Sequence, residues 1–240
     1  MLAQVGGAER TIGAGIVYPA PTQALVVNPA SLQEGKRITA EAMWRAKIDK
    51  PFAAFHYTRS GAGLGVDYRK EPKFVSGSPA IYQGGGALLL RSLAVGATVR
   101  KVTNQDLDTD LAAYYDMGNL RIASVLRSVK DKANRIDIGV GLGGESLYAS
   151  INFKHNIPWT LASDDYLVDV VAAANVNWIS FGVGYYMIHN GNQGFVSTKV
   201  HAGASFKLEN DMTLTASYLP LYQEWVISDD TYSVGFNYRF

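Results

Sequence analysis

The chain ends with the stretch Tyr232-Ser233-Val234-Gly235-Phe236-Asn237-Tyr238-Arg239-Phe240. Large apolar side chains occupy every second position of this stretch, and small or polar ones lie between them. Only a β-strand turns a period of two into two chemically different faces. Bulky apolar residues along one side of a final strand are typical of a strand whose outer face meets lipid.

The same alternation recurs through most of the sequence and predicts an antiparallel transmembrane β-barrel. We count fourteen strands, or twelve if two of the weaker ones merge. Residues 108–117 and 119–129 are among the segments with mixed faces. The strands are expected to start near positions 36, 52, 63, 80, 93, 108, 119, 135, 146, 165, 177, 196, 211 and 231.

The connections between these segments alternate between short and long, which is the pattern of a barrel threaded up and down through a bilayer. With an even strand count, both chain ends lie on the short-turn, periplasmic side. Short turns are expected near 61–62, 91–92, 118, 144–145, 176–177 and 209–211. Longer loops are expected at 47–51, 70–79, 103–107, 129–134, 155–164, 189–195 and 219–230.

Composition narrows the class of protein further. The 240 residues carry a net charge of +1 and no cysteine, so we expect no nucleic-acid partner and no thiolate site. Residues 170–198 lack charged side chains but alternate, which disfavours a membrane helix there. The charges fall on the face opposite the apolar one, whereas a soluble barrel would hide its apolar face inside. Residues 1–7 show no signal-peptide pattern, so we expect either that the numbering begins near the mature N-terminus or that a leader precedes this sequence.

Residues 1–35 do not alternate and are expected to form a hatch or plug for a barrel formed by residues 36–240. Within this segment, Asn28, Pro29 and Ala30 stand shortly before the first strand. In this motif and in its overall layout the chain resembles the FadL-like family of long-chain fatty acid transporters. PorV-like barrels of the type IX secretion system share the layout.

The resemblance implies an outer-membrane barrel of a Gram-negative bacterium, through which small hydrophobic or amphipathic compounds pass without chemistry. In the family, the Asn-Pro-Ala motif closes the N-terminal hatch. The loops of this chain reach only about a dozen residues and are shorter than the loops with which the family captures its ligands. A docking barrel in a larger envelope complex is therefore the alternative function.

Charged residues of the strands are expected to face the lumen. They fit either a salt-bridged interior or a basic conduit for anionic groups. The histidines are not at metal-ligand spacing, so we expect neither a metal nor a cofactor, and an enzyme is a distant third reading. The lumen set comprises Arg37, Glu41, Arg45, Asp67, Arg69, Arg100, Arg121, Asp137, Lys154, Asp169, Lys199, Lys207 and Arg239.

The glycine run Gly84, Gly85 and Gly86 permits two interpretations. Glycines inside a strand mark bends or bulges, and a bend here could open a side window in the wall. They could instead make room for packing against the hatch, which is the interpretation we favour. The expected partners are membrane lipids, a hydrophobic small molecule or lipid, and other envelope proteins.

Overall fold

A computed structural model shows a closed barrel of fourteen antiparallel strands. The structure describes residues 16–19, 24–34, 38–45, 52–70, 80–129, 135–143, 147–156, 166–191, 194–208, 212–223 and 226–239. A short helix, α1 (Ala24–Val27), and a 3-10 helix (Pro29–Glu34) precede the first strand. The strands are β1 (Ile38–Arg45), β2 (Phe52–Arg59), β3 (Ala62–Lys70), β4 (Ala80–Leu90), β5 (Leu93–Val102), β6 (Leu107–Asp116), β7 (Leu120–Arg127), β8 (Arg135–Gly143), β9 (Leu147–Asn156), β10 (Tyr166–Val176), β11 (Ile179–Asn190), β12 (Gly194–Lys207), β13 (Met212–Gln223) and β14 (Val226–Arg239).

The barrel closes where its first strand pairs with its last. The β1–β14 ladder runs from Thr39 opposite Arg239 to Arg45 opposite Ser233. Closure leaves no open sheet edge, which matters in hydrocarbon because water is absent there and cannot satisfy unpaired backbone groups. The fold class expected from the sequence is therefore confirmed.

The alternation of the sequence becomes an apolar outside and a polar inside. Outward side chains such as Leu64 and Leu147 are 63% and 65% exposed, although they are strongly apolar. Inward side chains such as Asp137, Asp169 and His201 are fully buried. Large apolar groups exposed around a whole barrel are stable only against lipid.

The observed strand starts lie within two residues of the expected ones, except for the last strand. That strand begins at Val226 instead of 231, and β13 continues to Gln223, so the expected loop at 219–230 is wrong. The two strands instead form a long hairpin, in which Pro220 pairs with Asp230 and the register shifts between Leu221 and Tyr222. A hairpin that continues past the membrane can meet water on both faces, so its sequence need not alternate.

Aromatic rings gather near both ends of the barrel. At the long-loop end, Tyr166 lies 5.6 Å from Phe153 and 4.7 Å from His189 between ring centres. At the short-turn end, Trp178 lies 6.0 Å from Phe206. Amphipathic rings favour the depth of the lipid headgroups, so these rings define two girdles. No helix in the described part of the chain is both long and apolar enough to cross a membrane.

Candidate functional site

The described residues ahead of β1 lie inside the barrel. We call residues 16–19 and 24–34 the inner segment; it includes α1 and the 3-10 helix. Leu25 and Leu32 of this segment are at most 1% exposed. The 3-10 helix packs against β2 to β6, and α1 packs against β3 and β4. The helices of the inner segment therefore cover one side of the inner wall.

Asn28 joins the parts of the inner segment to one another. Its side-chain NH2 donates to the carbonyl of Ile16 (2.7 Å), and its side-chain oxygen accepts from the amide of Ala30 (3.1 Å). Asn28 is thus the N-cap of the 3-10 helix, and Pro29 occupies the first helical position, where its missing N–H has no cost. The amide of Ile16 in turn donates to Asn152 Oδ1 on β9 (3.1 Å). The Asn-Pro-Ala motif therefore begins the 3-10 helix and also binds residues 16–19 through the carbonyl of Ile16.

Glycines in the wall let the 3-10 helix approach closely. A Cβ added at Gly63 would lie 2.1 Å from the carbonyl oxygen of Leu32. A Cβ added at Gly96 would lie 2.5 Å from the carbonyl carbon of Pro29. Both distances are far inside van der Waals contact, so backbone packs directly on backbone at these two positions.

Wall side chains hold the inner segment by its backbone carbonyls. A buried carbonyl without a partner is costly, and the ends of short helices leave several carbonyls unpaired. The donors and acceptors are Arg127 to Val27 (2.6 Å), Gln83 to Leu25 (3.2 Å), Thr58 to Leu32 (2.8 Å) and Arg121 to Val17 (3.1 Å).

Arg121 forms the main charged contact between wall and inner segment. Its guanidinium bonds Glu34 at the end of the 3-10 helix (2.5 Å) and Asp116 on β6 (2.8 Å). The same guanidinium lies 4.3 Å from the ring centre of Tyr114 and 4.8 Å from that of Tyr18. Cation–π contacts strengthen when water is excluded, and Arg121 is only 1% exposed. The short-turn end of the inner segment is therefore clamped by one arginine.

Burial raises the pKa of Glu34 above its ordinary value of 4.5, although the charge of Arg121 acts in the opposite direction. Removing the carboxylate from water thus has a larger effect on its pKa than the attraction of the arginine. The link between Glu34 and Arg121 is consequently sensitive to pH.

A second ionic network lies in the wall nearer the long loops. Arg127 on β7 bonds Asp137 on β8 (2.9 Å) and Asp110 on β6 (3.1 Å). Asp137 also accepts from Arg135 (2.9 Å), and Arg100 on β5 lies 3.7 Å from Asp110. The network spans neighbouring strands, so each arginine in it has an acidic partner within the wall.

Another part of the inner wall, formed by β10 to β12, carries a buried histidine and a buried carboxylate. His201 Nε2 lies 2.9 Å from Asp169 Oδ1, and both residues are fully buried. Gly184 pairs with His201 across β11 and β12, and a Cβ there would lie 2.1 Å from the imidazole. Ser205 and Thr215 nearby are also buried. The inward side chains are thus enclosed on this side as well.

The structure brings together some of the expected lumen charges. Asp67, Arg121, Asp137 and Asp169 are buried, and Arg121 and Asp137 join the two ionic networks. Arg100 and Lys154 are partly buried, and Lys154 pairs in register with Asp137. Lys207 is exposed at the end of β12. Arg37 lies outside the described residues, as do the side chains of Glu41, Arg45, Arg69, Lys199 and Arg239.

The glycine run in β4 does not open the wall. The ladders of β4 with β3 and β5 continue through Gly84, Gly85 and Gly86 without a register shift. The three strands are therefore paired without a gap at these residues, and the lateral opening is not open in this structure. A Cβ on the inward-facing Gly85 would lie 3.0 Å from Leu25 and 2.3 Å from the carbonyl of Ala97. The absence of a side chain at Gly85 makes room for the inner segment.

Several residues that hold the inner segment were not predicted from the sequence. Thr58 and Gln83 stand at alternate positions that face inward in the expected strands, so the alternation of the sequence was a usable signal for them. Asn152 likewise stands at an inward position, two residues before Lys154. Glu34 and Tyr114 gave no comparable signal, because their contacts join parts of the chain far apart in sequence. Glu34 and Arg121, for example, are 87 residues apart.

The barrel is similar to solved structures over its whole length. The toluene transporter TbuX of Ralstonia pickettii matches with a TM-score of 0.68 at 11% identity, over 100% of this chain and 99% of that one. The P. putida toluene transporter TodX matches with a TM-score of 0.65 at 10% identity, over 100% and 99%. A mutant porin of Rhodopseudomonas blastica matches with a TM-score of 0.50 at 8% identity, over 85% and 98%.

No model of a protein family matches the sequence, and the comparison with curated proteins finds no match either. At these low identities the structural likeness establishes the fold. The chain has the architecture of an outer-membrane β-barrel, and the likeness to TbuX and TodX supports a FadL-like barrel fold.

Proposed function

We propose that this barrel allows small hydrophobic or amphipathic compounds to cross the outer membrane passively, with the inner segment as its hatch. The observation that carries the proposal is how the inner segment is held. Its described polar links to the wall join wall side chains to its backbone carbonyls, to the amide of Ile16, and to the side chains of Gln33 and Glu34. The barrel ladder closes through β1 and β14 without it. Release of the segment would therefore leave the barrel hydrogen bonds intact.

The likeness to two toluene transporters over the full chain supports a hydrophobic cargo. Passive passage needs a route and a gate but no reacting groups, so we propose no catalytic step. On this proposal the protein resides in the outer membrane of a Gram-negative bacterium. Because the strand number is even and the turns alternate short and long, both chain ends are assigned to the periplasm.

One observation favours the second candidate, a docking barrel of an envelope complex. Inward side chains are buried in two different regions around the barrel, at Arg121 and Tyr148 and again at Asp169 and His201. A filled lumen suits a protein that presents its surface to partners. The two functions differ in whether the inner segment must ever leave its seat.

A reversible cross-link distinguishes the two functions. Ala30 on the 3-10 helix packs at Gly96, and Gly96 pairs with Ala112 on β6. Because the chain has no cysteine, Ala30→Cys with Ala112→Cys allows a short bifunctional thiol reagent to tie the hatch to the wall. The control carries each cysteine alone and receives the same reagent.

The readout is entry of the hydrophobic dye N-phenylnaphthylamine into intact Gram-negative cells that produce each variant. We expect dye entry above that of cells lacking the barrel, loss of this excess on cross-linking, and no loss in the single-cysteine controls. Entry that is unchanged by a verified cross-link, or never above background, would favour the docking barrel.

A further inference from the structure

A groove crosses the outer face of the barrel where outward side chains are missing. One register row runs from Tyr57 through Leu64, Gly86 and Ala97 to Leu111 across β2 to β6. Gly86 and Ala97 form the floor, and the leucines stand at either side. The cavity has a volume of about 640 Å3 and an almost wholly apolar lining. It lies on the lipid-facing side and is separate from the inner segment.

The floor is lowered along one strand for a clear steric reason. Gly84 and Gly86 both face outward on β4, so the strand presents bare backbone between the side chains of β3 and those of β5. Neighbouring strands are about 4.8 Å apart, so one missing row of side chains leaves a channel about one alkyl chain wide. Leu64 beside this channel is 63% exposed, which leaves much of its surface available for contact.

A cationic side chain stands at one end of the groove. Arg59, the last residue of β2, is exposed and lines the cavity beside the turn at Ser60 and Gly61. Tyr57 on the same strand also lines the cavity and is 41% exposed. A tyrosine ring at this level favours headgroup depth, and an arginine there can bond a phosphate with two N–H groups.

We propose that this groove is a binding site for one membrane glycerophospholipid of the leaflet on the short-turn side. An acyl chain lies over Gly86 and Ala97, and the phosphate bonds Arg59. Charge complementarity selects this occupant, because a partner helix or a second copy of the barrel would not require a cation at the headgroup end. The site depends on the transmembrane fold and is independent of whether the barrel transports anything.

The test is native mass spectrometry of the detergent-purified barrel with added phosphatidylglycerol. Ala97→Leu fills the floor with an outward side chain and needs no backbone change. Its matched control is Ala149→Leu, which adds the same atoms to an exposed outward position on β9. We expect Ala97→Leu to weaken lipid binding about tenfold, as displacement of about two methylene groups implies, and Ala149→Leu to leave it unchanged.

The phosphate contact is tested separately by Arg59→Gln, with Lys207→Gln at the exposed end of β12 as its control. We expect wild type to prefer phosphatidylglycerol over diacylglycerol and Arg59→Gln to lose that preference. Arg59 is exposed, so this variant remains informative even if Ala97→Leu does not fold. Equal binding by Ala97→Leu and Ala149→Leu, equal binding of the two lipids by wild type, or loss of a dimer in Ala97→Leu would overturn the proposal.

Discussion

Replacing Asn28 with alanine tests whether the inner segment is a separable hatch. The substitution removes the bond to the Ile16 carbonyl (2.7 Å) and the bond from the Ala30 amide (3.1 Å), both at a fully buried site. Loss of an N-cap costs ~0.5–2 kcal/mol, and a buried carbonyl left without its donor costs ~1–3 kcal/mol. Together these losses lower the free energy of releasing the inner segment from the wall by ~3 kcal/mol, which corresponds to an increase of roughly 100-fold in the released fraction.

Amide hydrogen exchange of the peptide covering residues 24–34 measures this change directly. We expect exchange in that peptide to accelerate by roughly 100-fold, while the amides of the barrel strands keep their rates, because the ladder does not include the segment. Asn119→Ala, at an exposed turn between β6 and β7, is the matched control and should change neither. An acceleration that spreads equally through the strands would show that segment and barrel unfold together, and an unchanged peptide would show that Asn28 does not hold the seat.

Three further outcomes follow from the same contacts. Gly96→Ala should expose the inner segment to exchange and raise dye entry because its Cβ would strike backbone, whereas Gly84→Ala, whose Cβ lies 3.7 Å from its nearest neighbour, should do neither. Because burial raises the pKa of Glu34 above 4.5, this side chain favours seating most at low pH, where it is the neutral carboxyl, and the contribution is lost as the pH rises through the raised pKa. Glu34→Gln should flatten this profile of corrected protection factors, and Arg121→Gln should lower protection at every pH because Arg121 also donates to the carbonyl of Val17. Deletion of residues 1–34 should still give a heat-modifiable barrel on gels but a larger conductance in planar bilayers, and failure to fold would contradict the separability of the two parts.

The positions of the strands could be predicted because lipid imposes a strict period of two on every membrane-spanning segment. The starts of β2, β4, β5 and β8 were found at the expected residue. The same reasoning failed at 219–230, where β13 and β14 continue as a paired hairpin. The period of two arises because one face of a strand meets lipid. Where a strand extends beyond the bilayer, both faces can meet water and the alternation no longer marks the strand.

For the lumen, the sequence could predict which strand residues face inward, because side chains alternate along a strand, but not which of them meet the inner segment. This alternation shows that Arg127 and Asp137 face inward, and the adjacency of β7 and β8 then makes their 2.9 Å contact foreseeable. The clamp of Arg121 on Glu34 could not be foreseen, because the segment before β1 has no period and its path inside the barrel is set by packing. Asn28 was singled out by its motif, but its bond to Ile16 depends on the path of the segment inside the barrel.

The division of charge between wall and inner segment bears on which function the barrel serves. Among the described residues, Arg127 keeps Asp137 and Arg121 keeps Asp116 as partners within the wall when the segment is ignored. In the part of the chain that the structure describes, Glu34 is the one group of the segment that forms an ion pair with the wall. The other described links are hydrogen bonds to neutral groups of the segment, two of which come from the guanidinium groups of Arg127 and Arg121. Removing one partner of a buried ion pair costs ~3–5 kcal/mol, whereas a neutral hydrogen bond contributes only ~1 kcal/mol. A wall that satisfies its own arginines can therefore release the segment without leaving any of them unpaired, which is what a hatch requires and a permanent plug does not.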